Sequence, residues 1–443
     1  MGSEMCIRDR SVTDNEPLGL KFYRKASQAA GPLAELALKR RLKAGKEDPL
    51  RINERRGVAG KTRPDGPLIW IHGASVGESL SVLPLVRRLR QSQGNLRFLV
   101  TTGTITSARL MAERLPDGAI HQFIPLDHPR YVDDFLDYWK PDAAIFVESE
   151  FWPNLSLKAR EKVRFMALVN GRVSPKSFEE WNRKKGSIKF ILSAFDMIIA
   201  QDRKNAERLE ILSNRPVRSF GNLKNAAPAL PVDQEELDAF REQIGSRLVW
   251  LAASTHPGEE EAIFDTHANL KKDHPTLLTL LAPRHPERGE EVRDLALQSG
   301  LIADLRSNKQ QIRAETEVYV ADTLGELGLF YRLSDVSFVG GSLTPKGGHN
   351  PLEPARLGGS ILHGPYTFNF VETYEEMRSA GGAALVRNER ELATAIRRLL
   401  ADDKTRRAMA NAAQAAAEVS AEKVLTEISD LILTKLEKGA VTA

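Results

Sequence analysis

Cysteine is almost missing from this 443-residue chain: Cys6 stands alone, so neither an intramolecular disulfide framework nor a cysteine-based zinc site can form. A reducing compartment is therefore allowed. Also missing is any uninterrupted apolar run of roughly 18 residues, the length of a spanning helix. No charged stretch leads into an apolar one in the manner of a secretory signal, and the bulk of the chain is expected to stay in the cytoplasm. Without G-x-x-x-x-G-K-[ST], or G-x-G-x-x-G at a strand–helix turn, ATPase and dinucleotide-dehydrogenase chemistry lose their usual support. Without a G-x-S-x-G elbow, His72 and Ser75 do not make a hydrolase pair. The nine histidines are scattered without metal-ligand spacing, so no metal or other cofactor is expected.

What is present is ordinary for a soluble globular protein, with 42% hydrophobic and 28% charged residues. The length suggests two domains. A net charge of +4 is modest, but residues 18–63 hold 13 Lys/Arg against four Asp/Glu. Basicity is a property of that segment. The residues before it, 1–17, follow neither a helical nor a strand period and read as a non-native or disordered leader.

Beyond the basic segment, short runs rich in Ile, Val and Phe alternate with helical patterns. LIWIH (68–72), RFLVT (97–101), AAIFV (143–147), VRFMALV (163–169) and MIIAQ (197–201) lack strict alternation, as strands covered on both faces do. SLSVLPLVRRLRQ and DHPRYVDDFLDYW, between them, repeat apolar residues at three-to-four spacing. A stretch without either period, GNLKNAAPALPVD (221–233), reads as a linker. The pattern then restarts with LVWLAAS (248–254), TLLTLLAP (276–283), EVYVA (317–321), DVSFVGG (335–341) and GSILHG (359–364). The order predicts an α/β protein with two Rossmann-like, doubly wound parallel sheets facing across a cleft. The expected divisions are a first domain at 64–225, a linker at 226–233, a second domain at 234–420 and a C-terminal helix at 421–443.

Ligands of such sheets sit outside the carboxyl ends of the strands, which selects the loops to read. After LIWIH comes GASVGE, placing Glu78 in a first helical turn. It reads either as a complement to the helix dipole or as a general base. ESEFWPN brings Glu148 and Glu150 to the same edge beside Trp152, a set that fits either sugar and positive-charge recognition or a solvated acidic turn. NGRVSPKS offers Asn170, Arg172 and Ser174, each equally a surface polar residue. In the second half, Pro283, Arg284 and His285 end an apolar strand, and the arginine suits a phosphate oxygen. DTLGELGLFY opens a helix at a Thr/Gly turn whose free N–H groups suit a ligand. In GGSLTPKGGHNPLEPA the glycines let backbone approach a ligand, while Asn350, Pro351 and Glu353 occupy N-cap, N1 and N3 as in a capping box.

HGASVGE, VESEFWPN, NGRVSPKS, GNLK, STHPGEE, PRHPER, DTLGELG, FVGGSLTPKGGHNPLEPA and GPYTFNF, in this order, resemble the 3-deoxy-D-manno-octulosonic acid (Kdo) transferases of Gram-negative lipid A assembly. The likeness runs from about residue 41 to the end of the second domain. It implies a GT-B inverting glycosyltransferase that moves Kdo from CMP-Kdo to a lipid A precursor hydroxyl in lipopolysaccharide core biosynthesis. By the resemblance Glu78 is the proton acceptor, and Glu148 and Lys224 stabilise the transition state. Pro283, Arg284, Leu324, Gly325, Glu326, Asn350, Pro351, Leu352 and Glu353 hold the CMP moiety. Metal independence, and action at the cytoplasmic face of the inner membrane without nucleic acid, are implied as well. Family members commonly carry Met where Leu324 stands, and Phe-Asp where Asn225 and Ala226 follow GNLK.

The family's N-terminus is typically a more hydrophobic membrane anchor. Here KFYRKASQAAGPLAELALKRRLKAGK is weaker and basic, and reads as a surface-lying segment drawn to anionic headgroups or as a solvated basic arm. The competing functional readings are another GT-B nucleotide-sugar transferase or epimerase, and a non-catalytic nucleotide-sugar-binding membrane protein.

Overall fold

The computed structural model describes residues 16–441, so the leader read at 1–17 lies outside the described residues except for Glu16 and Pro17. The chain divides into two compact units, one running to Ala227 and resuming at Ala421, the other spanning Pro228–Ser420. A single 39-residue helix, Asp403–Val441, belongs to both. The helix expected at 421–443 is thus the second part of a longer one.

The first unit is built on seven parallel strands: β1 (Leu68–His72), β2 (Arg97–Thr102), β3 (Ala119–Phe123), β4 (Ala143–Val147), β5 (Phe165–Gly171), β6 (Met197–Ala200) and β7 (Arg218–Ser219), in the order β3-β2-β1-β4-β5-β6-β7. All residues of β1, β4 and β5 are buried, which is why these strands read as continuous apolar runs. One face packs Trp70 and Phe146 edge to face at 5.0 Å, against helix Pro129–Trp139. The other face packs under helix Val76–Ser92 and under Val424, Ile428 and Ile432, whose four-residue spacing turns one stripe of the C-terminal helix inward.

Seven parallel strands also form the second unit: β8 (Val249–Thr255), β9 (Leu278–Pro283), β10 (Ala303–Leu305), β11 (Val318–Val320), β12 (Val336–Val339), β13 (Ser360–His363) and β14 (Ala383–Leu385), ordered β10-β11-β9-β8-β12-β13-β14. The sequence reading found ten of these 14 strands and missed β3, β7, β10 and β14. Three of the four have three residues or fewer, and β3, Ala-Ile-His-Gln-Phe, mixes polar with apolar residues. The stretch read as a linker from 221 is in part structured: Leu223–Ala226 is a short 3-10 turn, and Leu223 is fully buried in the first core.

Residues 18–63 form two helices, Leu18–Ala29 and Gly31–Lys43, followed by a 3-10 turn, Ile52–Arg56. Leu20 and Leu38 alone among the apolar residues of the two helices are buried, whereas Leu18, Phe22, Leu33 and Leu36 are exposed. Among the described residues no helix is long and apolar enough to cross a membrane.

Candidate active site

In the first sheet β1 lies between β2 and β4, so the chain leaves β1 and β4 in opposite directions and opens a crevice at their carboxyl ends. The loop after β1 makes its turn and caps the next helix with its own side chains. Ser75 Oγ accepts the Glu78 N–H at 3.3 Å, and the Glu78 carboxylate accepts from Ser75 Oγ at 2.7 Å and from Ala74 N–H at 2.8 Å. This reciprocal arrangement satisfies orphan donors of the helix N-terminus. Capping is therefore one role of Glu78. Its electrostatics point to a second: burial pushes its carboxyl above the ordinary value, the nearby Glu148 and Glu150 charges push the same way, and the Ser75 and Ala74 hydrogen bonds oppose them.

Glu148 follows the last residue of β4 with φ of 60°, a left-handed conformation uncommon outside glycine. It is 6% exposed and pairs with Lys224 Nζ at 2.5 Å. Lys224 comes from the 3-10 turn, and two asparagines hold that turn: Asn222 Oδ1 accepts Lys224 N–H at 3.0 Å, and Asn170 Oδ1 accepts Leu223 N–H at 2.8 Å. Asn170, at the end of β5, is also left-handed with φ of 54°. A Cβ on Gly77 would stand 3.7 Å from Lys224 Cε, so the lysine stem crosses the N-terminus of the Glu78 helix. Glu78, Glu148 and Lys224, 146 residues apart in sequence, share one strand-end site. Asn225 and Ala226 complete the turn, Asn225 donating its N–H to Asn222 O at 2.7 Å.

A chain of polar groups backs this site. Trp70 Nε1–H donates to Thr101 Oγ1 at 2.9 Å, Thr101 Oγ1 lies 3.0 Å from His72 Nδ1, and His72 Nε2 lies 3.2 Å from Glu150 Oε2. His72 Nδ1 also lies 3.2 Å from Thr101 O, and the Nε2 that faces the Glu150 carboxylate, an acceptor only when ionised, is the donor to it. Burial raises the Glu150 carboxyl, yet the His72 and Trp152 hydrogen bonds outweigh it and hold the group below the ordinary value. His72 is thus a buried positioner of Glu150. Ser174 caps the helix Pro175–Arg183 by accepting from Ser177 N–H at 3.1 Å, and Arg172 is exposed.

In the second unit the equivalent crevice opens between β8 and β12, with β9 on the far side of β8. Arg284 leaves the end of β9 exposed, its N–H bound to Thr255 O at 3.0 Å. Gly325 takes φ of 88° and leaves Leu324 84% exposed. Glu326 is gripped by Arg306 through bonds of 2.6 and 3.1 Å and by the Thr323 hydroxyl. Arg306 also binds Glu236 at 2.9 Å and lies 5.0 Å from the Phe240 ring centre. These residues, with Lys309 and Gln310, line a cavity of about 630 Å³. Arg306 was not legible beforehand, because it follows the three-residue β10 that carries no usable period.

The loop after β12 is fastened at its start by the fully buried Glu259 carboxylate, which accepts the Gly341, Ser342 and Leu343 N–H groups at 2.7–3.0 Å. The capping box expected further along this loop is incomplete. The regular helix is Leu352–Arg356, and Asn350 Oδ1 accepts Leu352 N–H at 3.1 Å. Glu353 does not bond back to the Asn350 N–H as a capping box requires; burial raises its carboxyl, opposed by the Arg356 charge and an Asn350 side-chain bond. Among the described residues no three His, Cys, Asp or Glu side chains are placed to hold a metal ion.

Comparison with known proteins covers most of the chain. A family described as 3-Deoxy-D-manno-octulosonic-acid transferase (kdotransferase) matches residues 50–227. A 3-deoxy-D-manno-octulosonic acid transferase of Rickettsia bellii is 38% identical over 83% of this chain and 87% of its own. One from Haemophilus influenzae is 34% identical over 88% and 92%. Among solved structures, a glycosyltransferase from Rickettsia africae superposes with a TM-score of 0.56 at 14% identity, covering 84% of this chain and 99% of its own, a likeness of fold. Two parallel sheets of the glycosyltransferase kind, with relatives of this identity over nearly the full length, assign the chain: it belongs to the 3-deoxy-D-manno-octulosonic acid transferase family and is a glycosyltransferase.

Proposed function

We propose that the chain transfers Kdo from CMP-Kdo to a hydroxyl of a lipid A precursor by single displacement with inversion. The observation that carries this reading is the convergence of Glu78, Glu148 and Lys224 at the crevice of the first sheet. A carboxylate with raised proton affinity is a better base than an ordinary one. Glu78 takes the proton of the attacking hydroxyl as the new bond forms. Glu148 offers negative charge to the oxocarbenium-like sugar carbon, and Lys224 limits the repulsion among the carboxylates gathered there.

On the donor side, Pro283 and Arg284 meet the phosphate, and the Leu324–Gly325–Glu326 turn with Asn350, Pro351, Leu352 and Glu353 holds the nucleoside. Residues 18–63 make the peripheral contact with the cytoplasmic face of the inner membrane. Exposed Leu18, Phe22, Leu33 and Leu36 supply apolar area, and each basic residue near an anionic surface adds about 1 kcal/mol.

The test combines purified protein, freshly generated CMP-Kdo and a tetraacylated lipid A precursor, read by mass spectrometry. Wild type gives a Kdo adduct, and Glu78→Gln loses about 100-fold or more of turnover while still binding CMP. Unchanged turnover in Glu78→Gln removes the base assignment. No adduct from wild type, where a control transferase works, removes the donor–acceptor assignment.

A further inference from the structure

Three histidines from separate loops meet at the crevice of the second sheet: His256 after β8, His285 after β9 and His349 after β12. His256 Nε2 and His349 Nε2 are 2.9 Å apart, and the two ring planes are nearly parallel, 4° apart with centroids at 5.1 Å. Nitrogens this close on parallel rings whose centres stand this far apart meet edge to edge in an N–H···N bond rather than face to face. Such a bond holds one proton, because two facing N–H groups would repel. His285 stands across His256 at 5.9 Å and 82°.

Arg284, His285, Arg288 and Lys346 act on His256, and Arg284 and His285 act on His349. The Glu259 carboxylate accepts the His256 backbone N–H at 3.0 Å. The Tyr374 hydroxyl donates to His349 O at 2.8 Å. Burial first, and neighbouring charges second, lower both imidazoles below the ordinary value, His349 to about 4. Gly341 makes room beneath: a Cβ there would lie 3.1 Å from His349 Cδ2 and 3.3 Å from His256 Cδ2. Half-buried, cation-ringed and at the crevice, the pair suits an anion.

We propose that the His256–His349 pair is a proton-taking grip for the phosphate of the departing nucleotide. This rests on the CMP-sugar reading above. In the donor the phosphate is a diester with one negative charge. When the bond from sugar carbon to phosphate oxygen breaks, its electron pair stays on that oxygen and the phosphate becomes a dianion. The N–H···N bond between the imidazoles then opens, the accepting nitrogen takes a proton from solvent, and both Nε2–H groups donate to phosphate oxygens. The pair gains one positive charge as the leaving group gains one negative charge.

The experiment is calorimetric titration of the full chain with CMP at about pH 8, where the free nucleotide is already a dianion, repeated in buffers of different ionisation heat. Wild type takes up about one proton per CMP bound. Cytidine, which lacks the phosphate, takes up none. His256→Gln and His349→Gln each bind CMP more weakly and take up none. CMP binding without proton uptake in wild type, or uptake that persists in His349→Gln, overturns the grip and leaves the donor reading intact. No binding of CMP at all overturns the donor reading and the grip together.

Discussion

Glu259 offers a quantitative test of how the loop after β12 is held. Its buried carboxylate accepts four backbone N–H groups, His256 and Gly341 on Oε2 at 3.0 and 2.7 Å, Ser342 and Leu343 on Oε1 at 3.0 and 2.8 Å. Glu259→Gln keeps one oxygen and replaces the other with an amide that can only donate. Two backbone N–H groups then face a donor, at about 1–3 kcal/mol each, so the loop is expected to lose about 2–6 kcal/mol against local opening. Hydrogen exchange on a peptide spanning 341–343 reads this directly, however the two units unfold. At about 1.4 kcal/mol per factor of ten, exchange there is expected to quicken by roughly 30-fold to 10⁴-fold, with helices of the first unit unaffected. Unchanged exchange in the variant would refute the idea that this carboxylate fastens the loop.

Further outcomes follow from the same geometry. Arg306→Lys keeps the charge but loses the two-pronged grip on Glu326, so the KM for CMP-Kdo is expected to rise about tenfold, equivalent to about 1.4 kcal/mol, with kcat little changed; a loss confined to kcat speaks against a donor-side role. Asn170→Ala and Asn170→Gly both orphan the Leu223 N–H, but only glycine accepts the left-handed backbone freely. Chemical denaturation should therefore find the alanine variant less stable by about 1 kcal/mol, and both should turn over more slowly because Lys224 loses its support. For Glu78 the sign is worked from its raised carboxyl, caused first by burial and then by neighbouring carboxylates. The folded chain binds that proton more tightly than the unfolded chain, so this stabilisation is present below the raised pKa and lost as pH rises through it. At neutral pH the charge costs stability. Glu78→Gln, whose oxygen can accept from Ala74 N–H and whose amide can donate to Ser75, should raise the first unit's melting midpoint while abolishing turnover, and a lowered midpoint contradicts the argument. Turnover of the wild type should fall on acidification at a pH above the ordinary glutamate value.

Much of this was legible in the residues, and the parts that were not share a cause. Local chemistry fixed the strands LIWIH and AAIFV, whose ends coincide with β1 and β4, because a run buried on both faces must be apolar throughout. It also placed Glu78 in a first helical turn, while the reciprocal bonds between Ser75 and Glu78 came only with the structure. The likeness of motifs then supplied Glu78, Glu148 and Lys224 as a set. Edge strands such as β10 and β14 were invisible, being too short to show a period, and with β10 went Arg306. Glu259 was invisible as the partner of the glycine loop for a different reason: the loop N–H groups that donate to it lie more than 80 positions away.

What the amino-acid order determined by itself was each segment's habit: which stretches extend, which coil, where glycine permits a turn and where charge gathers. Only the order of strands within each sheet decided that Lys224 meets Glu148, that His256 meets His349 and that Arg306 meets Glu326. Those meetings depend on which loops a crevice brings side by side, and no residue's neighbours along the chain carry that information. The charges and protons that make the site reactive arise from burial and proximity, so they exist only once the sheets are assembled.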